Sequence, residues 1–311
     1  MRIHCVTLNP AVDITYKVPS LDIHETNRVA SVMHRPGGKG VNVARILADQ
    51  TALEVSVYGF LGGHDGDELS EQLQWLSPSI TQTWTWVDQP TRKTIAVVDP
   101  AGTTMLNERG CEVDQKDWER LGSQLCESTS EDDWVVISGS MPRNTEKGRL
   151  AALIKALEPA GVNVVVDTSG DWLLEAAQAK PKLVKPNQSE LIESTGISDL
   201  EKAVDYLHTL GAEVVVVSMG ADGALYSSQE STIRGALSRS INGNPTGAGD
   251  AMVAGMVAEL SCGPQATAEK ILETGICWSA AAVLSDVAGE SKSEDRNALR
   301  KLVKLEESNA S

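Results

Sequence analysis

The chain has 311 residues, 41% of them hydrophobic, which is enough for one large α/β domain with a full core and a small appendage. Its formal net charge of -16 repels nucleic acid and anionic membranes, so neither is expected as a partner, and an anionic substrate needs a local basic cluster. The five cysteines (Cys5, Cys111, Cys126, Cys262, Cys277) include no C-x-x-C pair, which argues against a disulfide framework or a thiolate zinc site. Cys5, Cys262 and Cys277 lie in apolar surroundings and are expected to be buried. With no visible leader or membrane-length apolar run, a cytoplasmic protein is expected.

Arg2 to Leu8 reads as a strand ended by Asn9-Pro10. Asp13, just past it, is either a solvated turn carboxylate or an acceptor for ligand hydroxyls. Ile14 to Val18 and Asn27 to Met33 read as extended pieces outside the main sheet, because they interrupt the α/β rhythm. Gly37-Gly38-Lys39-Gly40 then opens a helix from Val41 to Asp49. It lacks P-loop spacing. It is either a flexible turn with a solvated lysine or a backbone cradle for a polyhydroxy ligand. Asn42 either bonds ligand hydroxyls or caps that helix.

Val55 to Phe60 reads as a strand and Glu68 to Leu76 as a helix. Thr81 to Val87, Arg92 to Asp99 and Thr103 to Leu106 read as strands that can join the early extended pieces in a small separate sheet. Arg92 is a surface residue unless it shares an anion with Lys39. From Asp114 the rhythm is regular. Helices are expected at Asp114 to Glu127, Thr145 to Leu157, Trp172 to Ala177 and Leu200 to Leu210. Strands are expected at Trp134 to Ser138, Asn163 to Val166, Leu183 to Lys185, Val214 to Ser218 and Ala224 to Ser227. Runs such as Val214-Val215-Val216-Val217 are typical of strands buried on both faces. Alternating strands and helices imply a mostly parallel sheet covered on both sides, with ligands beyond the strand C-termini.

Gly247-Ala248-Gly249-Asp250, ahead of the apolar run Met252 to Leu260, should form a helix N-terminus suited to phosphate. Asp250 in that turn is either an ordinary cap or a general base beside a phosphoryl group. Two further helices are expected, Gln265 to about Val287 and Asp295 to Leu305, with a charged loop between them.

Thr7-Leu8-Asn9-Pro10 with Asp13, Gly37-Gly38-Lys39-Gly40 with Asn42, and Thr91-Arg92 occur in order along the chain. Ser138-Gly139-Ser140, Lys185-Pro186-Asn187 with Glu190, Ser218-Met219-Gly220 with Gly223, and Gly247-Ala248-Gly249-Asp250 follow them. Together they resemble the ribokinase-like sugar kinases, closest to the branch of 1-phosphofructokinases and tagatose-6-phosphate kinases. The resemblance implies an α/β ribokinase-like fold: one domain over 1–311 with a β lid from about 12–35 and 88–107, which often also forms a homodimer interface.

It further implies Asp250 as the base and the amides of Ala248, Gly249 and Asp250, after Gly247, as the anion hole. Asn187 and Glu190 would organise Mg2+ and the nucleotide phosphates, with Lys185 near them. Ser218, Gly220 and Gly223 would form the ATP wall, with Cys277 and Ala281 beside the adenine. Asp13, Gly38, Lys39, Asn42 and Ser138 would face the sugar, and Lys39 and Arg92 the phosphate it carries. Thr94 stands where many members have Asn, and the loop after Val287 lacks a glycine-threonine pattern common there. The expected activity is ATP-dependent phosphorylation of a ketohexose phosphate: fructose 1-phosphate first, tagatose 6-phosphate or fructose 6-phosphate as alternatives. Two other classes are a dinucleotide-dependent oxidoreductase, disfavoured because Met252 replaces the third glycine of G-x-G-x-x-G, and a non-catalytic sugar-binding protein of the same fold.

Overall fold

The computed structural model describes residues 1–285 and 293–307. Its first half runs β1 (Arg2–Thr7), β2 (Ala11–Lys17), β3 (Ser31–Gly37), α1 (Lys39–Gln50), β4 (Glu54–Leu61), α2 (Gly63–Leu76), β5 (Thr81–Trp86), β6 (Arg92–Asp99), β7 (Gly102–Asn107), α3 (Gln115–Ser128) and β8 (Trp134–Ser138). There follow α4 (Arg149–Leu157), β9 (Asn163–Asp167), α5 (Asp171–Gln178), β10 (Leu183–Val184), α6 (Gln188–Thr195), α7 (Leu200–Leu210) and β11 (Val214–Ser218). The chain continues with β12 (Ala224–Ser227), β13 (Thr232–Leu237), α8 (Ala248–Leu260), α9 (Ala268–Val283), α10 (Ser293–Arg300) and β14 (Val303–Glu307).

Ten strands form the main sheet in the order β14-β13-β12-β11-β10-β9-β8-β1-β4-β5. Neighbours from β11 through β5 are parallel, and β12, β13 and β14 add an antiparallel edge. The valine run of β11 shows why such strands are apolar throughout. Val214 and Val216 face one core with α1, α2, α8 and α9, while Val215 and Val217 face the other with α3 to α7. Successive side chains point to opposite faces, and both faces are covered. Among the described residues no helix is long and apolar enough to cross a membrane.

A second, four-stranded sheet has the order β3-β2-β6-β7. Its hairpin partner β7 is exposed along its whole length. The two pieces expected at Ile14 to Val18 and Asn27 to Met33 lie in it, the second shifted forward to β3. Thr81 to Val87 does not join it: β5 pairs in parallel with β4 at the edge of the main sheet, where Trp84 is buried in the core.

Three other expectations change. The helix over Asp295 to Leu305 ends at Arg300, and Val303–Glu307 pairs antiparallel with β13 instead. Beyond that helix, alternation of Val303 and Leu305 with charged residues is a strand pattern. Cys262 is exposed at the end of α8, whereas Cys5 and Cys277 are buried. The helix expected to reach about Val287 is assigned to Val283; residues 286–292, which carry most of the charged loop, lie outside the described residues.

Candidate active site

Most helices of this chain that start with Asp, Asn or Thr use that side chain as a cap: Asp114, Asn187, Asp199 and Thr267 each accept from a first-turn amide. The other helices with a described cap start at glycine with no side-chain cap bond; α1 and α8, the two that reach the site, do so at Gly38 (φ 107°) and Gly247 (φ 79°). Glycine adopts such backbone angles without the Cβ penalty. The Ala248 amide donates to the Pro245 carbonyl at 3.1 Å, but those of Gly249 and Asp250 meet no acceptor among the described residues. Free amides at the positive end of a helix form an anion site.

The cap reading of Asp250 therefore fails, because Gly247 is the capping residue and Asp250 lies inside the first turn. The carboxylate is 6% exposed and accepts a hydrogen bond from Asn42 Nδ2 at 2.8 Å. That bond and the missing side-chain cap on α1 rule out the cap reading of Asn42, whose amide nitrogen serves Asp250. Burial and the nearby Asp167 push the Asp250 carboxyl up to about 7, against the opposing pull of Asn42, Lys39 and Lys185. A carboxylate near neutrality is suited to general base work.

Two lysines share the carboxylates around it. Lys39 Nζ lies 3.5 Å from Asp167 Oδ1 and 3.6 Å from Glu190 Oε1. Lys185 Nζ lies 3.4 Å from the same Asp167 oxygen. Asp167 and Lys185 are buried. Burial pulls the Lys39 ammonium down, but Asp167, Glu190 and Asp250 together hold it above the ordinary lysine value. Glu190 is fixed by a capping box at the start of α6: its Oε2 accepts the Asn187 N–H, and Asn187 Oδ1 accepts the Glu190 N–H, both at 2.8 Å. Neither α6 nor Asp167 was identified by the sequence reading. The N-x-x-E spacing that marks a capping box was the signal for the helix, and the carboxylate closing the valine run Val164 to Val166 was the signal for the residue.

These groups line a cavity of about 590 Å³ with Ser218, Gly220, Gly223, Gly247, Ala248 and Gly249. A second cavity of about 310 Å³ shares Gly220, Gly223, Pro245, Ala248, Met252 and Ser279 with it and continues to Leu237, Ile276, Ala280 and Val283. The first is rich in charged groups and the second in apolar ones. Cys277 and Ala281 line neither cavity; they face the core from α9, one packed in the large apolar cluster and the other against Leu299. The helical period turns Ile276, Ser279, Ala280 and Val283 to the cavity instead, and Ile276 and Ala280 each lie one residue from an expected position.

Asp13 stands on β2 with Arg35 and Thr94 as its cross-strand neighbours. Thr94 Oγ1 donates to Asp13 Oδ1, so this departure from the common Asn still reaches the carboxylate. Burial raises the Asp13 pKa, and Thr94, Arg92 and Arg45 oppose it. The Arg92 guanidinium donates to the Asn9 and Glu108 carbonyls, each at 3.1 Å. Ser138 is buried at the end of β8 beside Asp167 in register, and its Oγ has no hydrogen-bond partner among the described residues. The structure thus brings Lys39, Asn42, Lys185, Asn187, Glu190 and Asp250 together, with Gly38 beside Lys39 and with Asp13 and Arg92 on the adjoining second sheet.

A parallel sheet covered on both faces, an uncapped helix start and a buried carboxylate beside it are the parts of a phosphoryl-transfer enzyme. The chain belongs to the pfkB family of carbohydrate kinases, whose profile matches residues 6–295. It is 32% identical over 292 residues to the 1-phosphofructokinase of Bacillus subtilis (strain 168), covering 92% of this chain and 94% of that one. It is 31% identical over 276 residues to a tagatose-6-phosphate kinase of Staphylococcus epidermidis, with 86% and 87% covered. Among solved structures, phosphofructokinase-2 from Escherichia coli in complex with fructose-6-phosphate superposes with a TM-score of 0.87 at 28% identity, covering 96% of this chain and 98% of that one. Ribokinase from Thermotoga maritima, at 22% identity and a TM-score of 0.75 over 97% and 99% of the two chains, shows the shared ribokinase-like fold. The protein is therefore a phosphotransferase with an alcohol group as acceptor, and the oxidoreductase alternative is set aside.

Proposed function

We propose that this protein transfers the γ-phosphoryl group of ATP to a hydroxyl of a ketohexose phosphate, with fructose 1-phosphate as substrate and fructose 1,6-bisphosphate as product. The observation that carries the reading is the pairing of the buried Asp250 with the free amides of Gly249 and itself. Phosphoryl transfer needs positioning and charge stabilisation more than covalent chemistry. Asp250 takes the proton of the attacking hydroxyl, held in place by Asn42. The α8 amides, with Lys185 4.0 Å from where a Gly249 Cβ would stand, take up charge on the transferring group. Asp13 and Thr94 bind sugar hydroxyls. Lys39 and Arg92 supply cations for the phosphate that the sugar already carries.

The residues present fit a magnesium nucleotide on two observations. The apolar cavity adjoins the charged one, as a base and its phosphates require. Glu190 also offers an oxygen donor, Oε1, that the capping box does not use. Magnesium is held by few carboxylates together with phosphates and water. When bound it neutralises phosphate charge; Glu190 would hold it, with Asn187 fixing that carboxylate.

The nearly equal identity to a tagatose-6-phosphate kinase supports tagatose 6-phosphate as the second reading. A coupled ADP-release assay over fructose 1-phosphate, tagatose 6-phosphate and fructose 6-phosphate separates them by kcat/KM. Near-wild-type turnover by Asp250→Asn with each of the three would reject the mechanism. Tight sugar binding without ADP release by the wild type would favour a non-catalytic protein. The second sheet serves as the lid over the sugar, and its exposed apolar residues Val32, Met33, Met105 and Leu106 form a homodimer contact. The expected compartment is the cytoplasm.

A further inference from the structure

Lys39 is assigned above to the sugar's phosphate, yet its ammonium lies against Asp167 and Glu190. The two lysines of the cluster differ in freedom. The Lys185 side chain is 3% exposed, whereas that of Lys39 is 40% exposed. A half-exposed lysine on a four-carbon stem can reorient, and a buried one cannot do so without unpacking its surroundings. The two oxygens of Glu190 also differ. Oε2 is committed to the Asn187 amide, so the oxygen facing Lys39 is the one left for a metal cation. Lys39 therefore stands beside the donor that a magnesium nucleotide needs.

The local charge count makes the position consequential. Asp167, Glu190 and Asp250 face Lys39 and Lys185, and Asp167 Oδ2 is buried with no hydrogen-bond partner. With Lys39 in place, both carboxylates next to it are partly neutralised, and their attraction for another cation is reduced. Removing Lys39 leaves Lys185 as the remaining lysine among three carboxyl groups, which strengthens their pull on a divalent cation.

We propose that Lys39 is a counter-ion shared between the two substrate sites: it neutralises Asp167 and Glu190 until a sugar phosphate draws it across, which clears Glu190 for the magnesium nucleotide. This rests on the sugar-phosphate reading above. The two substrates then bind with positive coupling, and the coupling is reciprocal: each raises the affinity for the other by the same factor. Lys39 acts on the nucleotide as a positioning residue, by leaving its carboxylates.

Calorimetric titration with magnesium and a non-hydrolysable ATP analogue tests this without turnover. In the wild type, saturating fructose 1-phosphate is expected to tighten nucleotide binding by about 5- to 150-fold, the ordinary range of such coupling. In Lys39→Met without any sugar, the magnesium nucleotide is expected to bind at least about fivefold more tightly than to the wild type. A lysine that merely holds ATP phosphates gives the opposite result. Unchanged or weaker nucleotide binding by a folded Lys39→Met overturns the proposal, as does equal affinity with and without bound fructose 1-phosphate in the wild type. If Lys39→Met does not fold, judged by circular dichroism, Lys39→Gln takes its place under the same criteria. If no hexose phosphate binds the wild type, the substrate reading fails, and the sugar-free comparison of the two proteins still decides whether Lys39 competes with the nucleotide's cation.

Discussion

Asp250 combines two costs that a structural residue would avoid: it is buried, and it has Asp167 for a neighbour. Its neutralised form is favoured up to about pH 7, so the base form is gained as pH rises through that value. The kcat/KM for sugar phosphate should therefore climb between about pH 5 and pH 7 and level off above, which a pH-rate profile measures. Asp250→Asn should lower kcat by about 10²- to 10⁴-fold while sugar binding persists. The same substitution should stabilise the fold. The folded pKa lies above the unfolded value of 3.8, so folding is helped by protonation at low pH and that help is lost as pH rises through about 7. The gap in thermal midpoint between Asp250→Asn and the wild type should widen from pH 4 to pH 7 and then stay constant, as differential scanning fluorimetry can record. This residue was readable in advance because a glycine pair, a carboxylate and an apolar run are contiguous in the chain. Asp167 was not, because its meaning comes from Lys39 and Lys185, which lie far from it in sequence and meet it only after β9 and β10 pair.

At the scale of elements, the proposed mechanism makes the short α6 a link between catalysis and stability. Its capping box fixes Glu190 and ends the orphan status of two amides at once. Asn187→Ala should cost about 1 kcal/mol of stability and raise the magnesium concentration needed for half-maximal activity, because Glu190 loses the reciprocal bond that fixes its helix turn. Chemical denaturation and a magnesium titration measure the two effects separately. The parallel strands were legible because burial on both faces demands unbroken apolar runs. The edges were less so. Thr81 to Val87 alternates polar and apolar residues in a way compatible with either sheet, and only its parallel pairing with β4 assigns it. Helix α9 was placed well, but its cavity-facing residues were displaced by one position, and on a helix one residue is a rotation of about 100°.

The whole molecule pairs a doubly covered sheet with a thin second sheet whose outer strand β7 leaves the apolar Met105 and Leu106 exposed. An exposed strand edge invites pairing or packing by another chain. Light scattering behind size exclusion should report a homodimer, and Leu106→Lys combined with Val32→Lys should shift it to monomer while leaving the main sheet folded. On the proposed function the -16 charge does not prevent an anionic substrate from binding, because Lys39 and Lys185 are gathered at Asp167 instead of scattered.

The antiparallel border of the large sheet has one more implication. Leu237 of β13 lines the apolar cavity, and its partner in register is Val303 of β14, a segment that follows every residue proposed for catalysis in the chain. On the proposed reading of this cavity as the base site, its wall strand β13 is backed by β14, whereas the residues proposed for the sugar lie long before it in the chain. A protein cut after Leu302 should keep its hold on fructose 1-phosphate and lose most of its hold on ATP, a separation that equilibrium dialysis with each radiolabelled compound can read directly.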